Sequence, residues 1–171
     1  MKRTIRRAAT GLAALLLAGA AFAQEINFGI ISTDKSAAIK SLWDPFIDDM
    51  QKQTGLKVNA FFSTDYTGII EAQRFNKVQV AWYGNKSAIE AVDRANGEVF
   101  AQFIDLHGTP GYYSYVITHK DSPLNSLDDM FKNGKNLSFG SGDPQSTSGT
   151  LVPGYYVFTQ RGLDPKSVFK V

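Results

Sequence analysis

Short apolar runs alternate along the chain with segments whose apolar residues recur at three- and four-residue steps. The apolar runs predict parallel strands at residues 26–31, 56–62 and 78–82. The segments that follow them predict helices at residues 36–54, 66–75 and 85–95. This alternation is typical of a sheet covered by helices and predicts the α/β fold class. The third run is nearly all apolar, which favours a central strand.

Individual residues mark the ends and faces of these helices. Gly55 is expected to end the first helix, whereas Pro45 should kink it or split off its first turn. Asp65 is a plausible cap for the second helix. The inward face of the third helix is predicted to carry Ala88, Ile89, Ala91 and Val92.

The rest of the chain predicts further elements of both kinds. Strands are expected at residues 99–104, 112–118 and 136–139, and helices at residues 127–131 and 151–161. Gly162 should close the last helix. Because proline lacks a backbone N–H, the regular part of that helix is expected to begin near Pro153.

A glycine-rich loop at residues 140–154 carries the strongest chemical signal. Ser146, Thr147 and Ser148 offer three hydroxyl groups and free backbone N–H groups beside the positive end of a helix, an arrangement that suits an anion. Serine and threonine also cap helices for structural reasons, so the loop alone leaves both interpretations open. The loop lacks the lysine of a P-loop, and nucleotide binding is not expected.

The segments that follow the predicted strands are rich in tyrosines and small hydroxyl residues and contain few cations. Ligands collect at the carboxyl ends of strands in open α/β sheets. A pocket built from these segments is therefore expected to bind a small oxyanion through neutral donors.

The first 23 residues have the pattern of a secretory signal peptide. A basic start is followed by an apolar stretch at residues 11–20 and by Ala21, Phe22 and Ala23 before Gln24. This pattern predicts export to the periplasm. The basic residues of this segment are Lys2, Arg3, Arg6 and Arg7.

Removal of the signal peptide changes the charge balance. The signal peptide contains four of the 18 basic residues and none of the 16 acidic ones. The rest of the chain therefore has 14 basic and 16 acidic residues, which gives a net charge of −2. No basic cluster survives, and a nucleic-acid partner is not expected. The chain has no cysteine, so its own core must stabilise it without disulfides.

Five segments together resemble the phosphonate-binding periplasmic proteins of ABC uptake systems. They occur in the family's order across the chain after the signal peptide and read NFGIIS at 27–32, DYTGII at 65–70, AWYGN at 81–85, AVDRANG at 91–97 and GDPQSTSG at 142–149. The resemblance implies a periplasmic-binding-protein fold of the second type, in which two α/β lobes joined by hinge strands close on a ligand. Residues 24–115 would form the first lobe with a hinge strand, and residues 116–171 part of a second lobe. Members of the family are considerably longer, so this chain is expected to be a fragment with an incomplete second lobe.

The resemblance also implies a function and a site. The family binds alkylphosphonates, among them 2-aminoethylphosphonate, and delivers them to a membrane permease driven by a cytoplasmic ATPase. Positions matching the family's ligand residues are Tyr66, Tyr112, Ser146, Thr147 and Ser148. The family's other ligand contacts, a histidine and two carboxylates, would lie beyond residue 171.

Other functions stay open at this point. The same donors suit phosphite, phosphate or a phosphate ester. A secreted phosphoryl or acyl hydrolase would need a base beside a serine, but the chain has no GxSxG motif. His107 and His119 lack metal-like spacing and are expected in surface loops. We therefore expect no catalytic residue, metal or cofactor.

Three residues near the expected site need separate interpretation. Trp82 is expected in the core of the first lobe and Tyr83 at or near the cleft. Asp143 precedes a proline, and its carboxylate is expected to bond nearby backbone N–H groups in a turn. The alternative is that Asp143 accepts the proton of a monoprotonated phosphonate.

Overall fold

The computed structural model describes residues 24–33 and 38–170. The predicted signal peptide lies outside these residues. The described residues form three strands, namely β1 (Glu25–Ile30), β2 (Lys57–Phe62) and β3 (Val80–Trp82). The α-helices are α1 (Ala38–Thr54), α2 (Tyr66–Arg74), α3 (Asn85–Ala95), α4 (Leu127–Lys132) and α5 (Pro165–Val168). No helix among the described residues is long and apolar enough to cross a membrane.

The strands form one parallel sheet in the order β2-β1-β3, which confirms the α/β class. Glu25 pairs with Lys57 on one side of β1, and Phe28 pairs with Val80 on the other. The prediction that the third strand is central is wrong, because β1 holds that place among the described strands. The third run is apolar for another reason: Trp82 packs against core residues and lies 6.2 Å from the Phe103 ring.

Three hydrophobic clusters stabilise the described part of the chain, and one of them, which buries Ile31, Tyr66 and Ile69, lies beside the carboxyl end of β1. Residues of β1, β2 and α1 form a second cluster, in which Phe28, Ile30, Ile47 and Val58 are buried. The third joins α4 to the end of the chain and buries Met130, Val157, Phe158 and Phe169. The lobe boundary after residue 115 stays a prediction.

The strands expected at residues 99–104, 112–118 and 136–139 are not formed. The described part of the chain contains only an isolated bridge between Ile104 and Pro110 there. Strands need neighbours for their backbone groups, and no described segment supplies them. Large side chains stay in solvent as a result, with Phe100 79% and Ile117 87% exposed. In the segment at residues 136–139, the Leu137 carbonyl accepts the Lys170 N–H at 2.8 Å, but this single bond is not part of a β-ladder.

Two helices differ from their predicted form. Helix α1 continues through Pro45, so its first turn is not split off. Helix α3 buries Ser87 and Ala91, whereas Ile89 is 61% exposed and Val92 is exposed too. The Ser87 hydroxyl explains the rotated face, because it bonds both the N–H and the carbonyl of Gly84 at 3.0 Å.

The last long helical segment begins earlier than predicted. It contains π-helical turns at Thr147–Leu151 and Gly154–Phe158 and a 3-10 turn at Thr159–Arg161. Pro153 is therefore accommodated inside the segment, although it cannot donate a backbone hydrogen bond. Gly162 ends the segment with a φ of 65°, as expected from its freedom to adopt the left-handed region.

Candidate functional site

A cavity of about 460 Å³ lies where the ends of β1 and β3 face the glycine-rich loop. Ile31 follows β1 and Tyr83 follows β3, so the cavity is at the carboxyl edge of the sheet, as expected for this fold class. All five residues predicted for the ligand line it, namely Tyr66, Tyr112, Ser146, Thr147 and Ser148.

Tyr66 begins helix α2, which positions both its backbone N–H and its phenol. Asp65 caps the helix by accepting the Gly68 N–H at 2.7 Å. The Tyr66 residue is only 8% exposed. Burial raises the pKa of its phenol; the Ser146 hydroxyl opposes this rise, and the Asp143 carboxylate adds to it. The phenol is therefore a protonated donor at neutral pH.

Ser146 is both a helix cap and a cavity residue. Its hydroxyl oxygen accepts the Gly149 N–H at 3.0 Å, so the structural interpretation of this serine holds. The loop closes because the Gly142 N–H donates to the Gly149 carbonyl at 2.9 Å. A side chain at either glycine would disturb this contact, since a Cβ atom on Gly142 would lie 2.9 Å from the Gly149 Cα.

Thr147 and Ser148 are held by bonds from distant segments. The Thr147 Oγ1 atom accepts the Lys86 backbone N–H at 2.9 Å. The Ser148 carbonyl accepts the Ser114 hydroxyl at 2.7 Å. These bonds leave the proton of the Thr147 hydroxyl to donate to a ligand, because its oxygen is the acceptor toward Lys86.

Asp143 accepts backbone hydrogen bonds with both carboxylate oxygens. Oδ1 accepts the Gln145 N–H at 2.7 Å, which supports the turn interpretation. Oδ2 accepts the Tyr66 N–H at 3.2 Å, a contact between residues 77 positions apart. No local sequence pattern predicts this second bond, because it depends on tertiary structure.

The other aromatic residues of the cavity differ in their surroundings. Tyr112 is largely exposed. Tyr83 lines the cavity as expected, and its hydroxyl donates to Gln73 Oε1 at 2.8 Å. Trp82 packs against the core near Trp43, with ring centroids 5.1 Å apart, as predicted. It also lines the cavity together with Phe103, which was not predicted.

The cavity contains no cation among the described residues that line it. Of the described residues that line it, only Asp105 is charged, and its carboxylate accepts the N–H groups of Thr109 and His107 at 2.8 Å each. The Thr109 N–H, with that of His107, lowers the pKa of Asp105. Neither His107 nor His119 lines the cavity. Within residues 24–33 and 38–170, no group of three or more metal-ligating residues is placed to hold an ion.

Comparison with known proteins shows which families and relatives this chain resembles. Residues 28–171 match the family model described as the periplasmic substrate-binding protein of phosphonate ABC transporters. A phosphonates-binding periplasmic protein from Escherichia coli K12 is 59% identical over 138 residues, which are 81% of this chain and 41% of the relative. A phosphate-import protein from Mycolicibacterium smegmatis is 35% identical, over 77% of this chain and 41% of the relative. This chain therefore spans less than half of the length of these relatives.

Two solved structures resemble the described fold. One is a binding-protein component of an ABC phosphonate transporter from Pseudomonas aeruginosa, with a TM-score of 0.82 and 59% identity. The match covers 85% of this chain and 48% of that one. The other, from Prochlorococcus marinus in complex with methylphosphonate, has a TM-score of 0.61 and covers 86% of this chain and 53% of that one. At 21% identity it supports the fold alone.

Proposed function

This chain belongs to the family of periplasmic substrate-binding proteins of phosphonate ABC transporters. We propose that it forms the part of such a receptor that binds the phosphonate group. The receptor binds an alkylphosphonate, such as 2-aminoethylphosphonate, in the periplasm and passes it unchanged to a membrane permease. The observation that carries this proposal is the convergence of five hydroxyl-bearing residues on a cavity whose described lining residues include no cation. These residues are Tyr66, Tyr112, Ser146, Thr147 and Ser148.

The donor set suits the chemistry of a phosphonate group. Its three oxygens accept more hydrogen bonds than one side chain supplies, and a hydrogen bond to a charged group contributes about 1.5–3 kcal/mol. Several such bonds, offset by desolvation and ordering, give a binding free energy of about −8 kcal/mol, which is micromolar affinity. Neutral donors are sufficient for this affinity, so a lysine or arginine in the cavity is not required.

The hydroxyl donors are divided between the two predicted lobes, so a bound ligand can promote closure of one lobe on the other. Tyr66 belongs to the proposed first lobe at residues 24–115, and Ser146 belongs to the proposed second lobe beginning at residue 116. A ligand held by both would bridge the lobes, and binding would favour a hinge-type closed state.

A second candidate is a receptor for inorganic phosphate or phosphite. Two relatives favour it: the Mycolicibacterium protein is named for phosphate import, and a Prochlorococcus marinus relative, 27% identical over 82% of this chain, is named a probable phosphite-binding protein. The same hydroxyl donors suit these oxyanions. The hydrolase alternative gains no support, since no histidine is among the described residues that line the cavity.

Calorimetric titration of the full-length gene product separates these candidates. We expect 2-aminoethylphosphonate or methylphosphonate to bind with micromolar affinity or better, and phosphate and phosphite to bind more weakly. Tighter binding of phosphate or phosphite would favour the second candidate. Turnover of an aryl phosphate that is abolished by Ser146→Ala would overturn the receptor proposal.

A further inference from the structure

The Asp143 carboxylate connects two segments that are far apart in sequence. Oδ1 accepts the Gln145 N–H at 2.7 Å and so belongs to the turn of its own loop. Oδ2 accepts the Tyr66 N–H at 3.2 Å and so reaches the first turn of α2. One side chain therefore joins the glycine-rich loop to the start of helix α2.

The position of the second bond matters because Tyr66 opens helix α2. The first N–H groups of a helix lack partners within the helix, and a carboxylate there is favoured by the helix dipole. Asp65 satisfies the Gly68 N–H at 2.7 Å, and Asp143 satisfies that of Tyr66. Because the Tyr66 ring and N–H belong to one residue, this bond also limits where the ring stands relative to the loop.

A second connection holds the other end of the same loop. The Lys86 backbone N–H donates to Thr147 Oγ1 at 2.9 Å, and the Lys86 ammonium donates to the Pro144 carbonyl. At the first connection, Tyr66 is 8% exposed, so water competes little for its N–H. The loop at residues 143–147 is thus fixed at both ends against the starts of α2 and α3.

We propose that Asp143 is a positioning residue for the anion site, fastening the loop to helix α2 and setting the spacing between the Tyr66 phenol and the hydroxyls of Ser146 and Thr147. This inference rests on the proposed function. Asp143 acts here through backbone groups and does not itself contact the anion.

The substitution Asp143→Asn tests the connection with little change in shape. Its amide oxygen can still accept the Gln145 N–H, whereas its amide nitrogen is a donor and cannot accept the Tyr66 N–H. Asp65→Asn is the matched control. It makes the same chemical change at the cap of the same helix, where the side chain bonds only the nearby Gly68 N–H. Asparagine caps helices as well as aspartate does. Asp143→Ser is a second variant, because one hydroxyl oxygen can keep the turn but cannot span both partners.

Two measurements on the full-length gene product decide the outcome. In the ligand-free protein, we expect Asp143→Asn to accelerate hydrogen exchange at the Tyr66 amide about tenfold relative to Asp65→Asn. We expect the same variant to weaken methylphosphonate binding about tenfold, with Asp143→Ser behaving alike and Asp65→Asn near the parent. Unchanged exchange and affinity in both Asp143 variants would overturn the inference, as would equal losses in Asp65→Asn. A parent protein that does not bind methylphosphonate, yet shows the exchange effect, would overturn the proposed function instead.

Discussion

The Thr147 hydroxyl oxygen accepts the backbone N–H of Lys86 at 2.9 Å, although 61 residues separate the two in sequence. The bond joins the start of helix α3 to the glycine-rich loop. It also orients the hydroxyl, because an oxygen that accepts from the backbone has its proton left to donate. A residue predicted for the ligand is therefore held by the fold in a donor state before any ligand binds.

Removal of this hydroxyl is expected to weaken anion binding. Thr147→Val has nearly the same shape but no donor, and we expect it to weaken phosphonate binding by about 1–3 kcal/mol in titration calorimetry. Thr147→Ser keeps the hydroxyl and is the matched control, with affinity close to the parent. Equal affinity in Thr147→Val and the parent would show that this hydroxyl does not contact the ligand.

The Tyr66 phenol is expected to be a second donor. Tyr66→Phe should weaken phosphonate binding by about 1–3 kcal/mol, because the ring is kept and only the donor is lost. Tyr83→Phe is the control, since the Tyr83 hydroxyl already donates to Gln73. Titration should show near-parent affinity for Tyr83→Phe; a larger loss there than in Tyr66→Phe would reverse the assignment of the two tyrosines.

The close contact between Gly142 and Gly149 should make the loop intolerant of side chains. We expect Gly142→Ala to lower the free energy of unfolding by about 1–3 kcal/mol in urea, because its Cβ atom would collide with Gly149 backbone. Gly154 lies in a helical segment with no atom within 4 Å of an added Cβ. Gly154→Ala should therefore stabilise the protein by about 0.4–1 kcal/mol. Comparable stability of the two variants would contradict the close packing of the loop.

Alkaline pH should destabilise the fold through its buried tyrosines. Burial raises the pKa values of Tyr66 and Tyr83 above the ordinary 10.0, so the folded state holds their protons more tightly than the unfolded state. Their contribution is full below a pH of about 10 and is lost as the pH rises toward the folded pKa values. Urea unfolding at about pH 8 and pH 11 should show this decrease, and it should be smaller in Tyr83→Phe. A decrease of the same size in the variant would contradict the role of Tyr83.

Local patterns were sufficient to predict the part of the fold that is built from neighbours in sequence. The apolar runs of β1 and β2 and the Asp65 cap of α2 depend on near residues, and the structure confirms them. The glycine-rich loop itself indicates Ser146, Thr147 and Ser148, whereas Tyr66 and Tyr112 follow only from the family resemblance; the structure brings all five together. Their role as ligand contacts stays a prediction.

Tertiary partners decide the features that the sequence did not predict. The pattern predicts that Ile89 faces inward, but this residue is exposed. The Ser87 hydroxyl bonds the start of α3, and the face of the helix that carries Ser87 is buried instead. Ile117 lies in a run that predicts a strand, yet no described segment pairs with it. The bond from the Tyr66 N–H to Asp143 joins the start of helix α2 to the glycine-rich loop, and no local pattern predicts this contact.

The most direct measurement of the central claim is a crystal structure of the full-length gene product with methylphosphonate bound. We predict that the phosphonate oxygens lie about 2.5–3.2 Å from the hydroxyl groups of Tyr66, Ser146 and Thr147. A ligand bound elsewhere, for example in the groove beside Met130 and Phe169, would contradict the account.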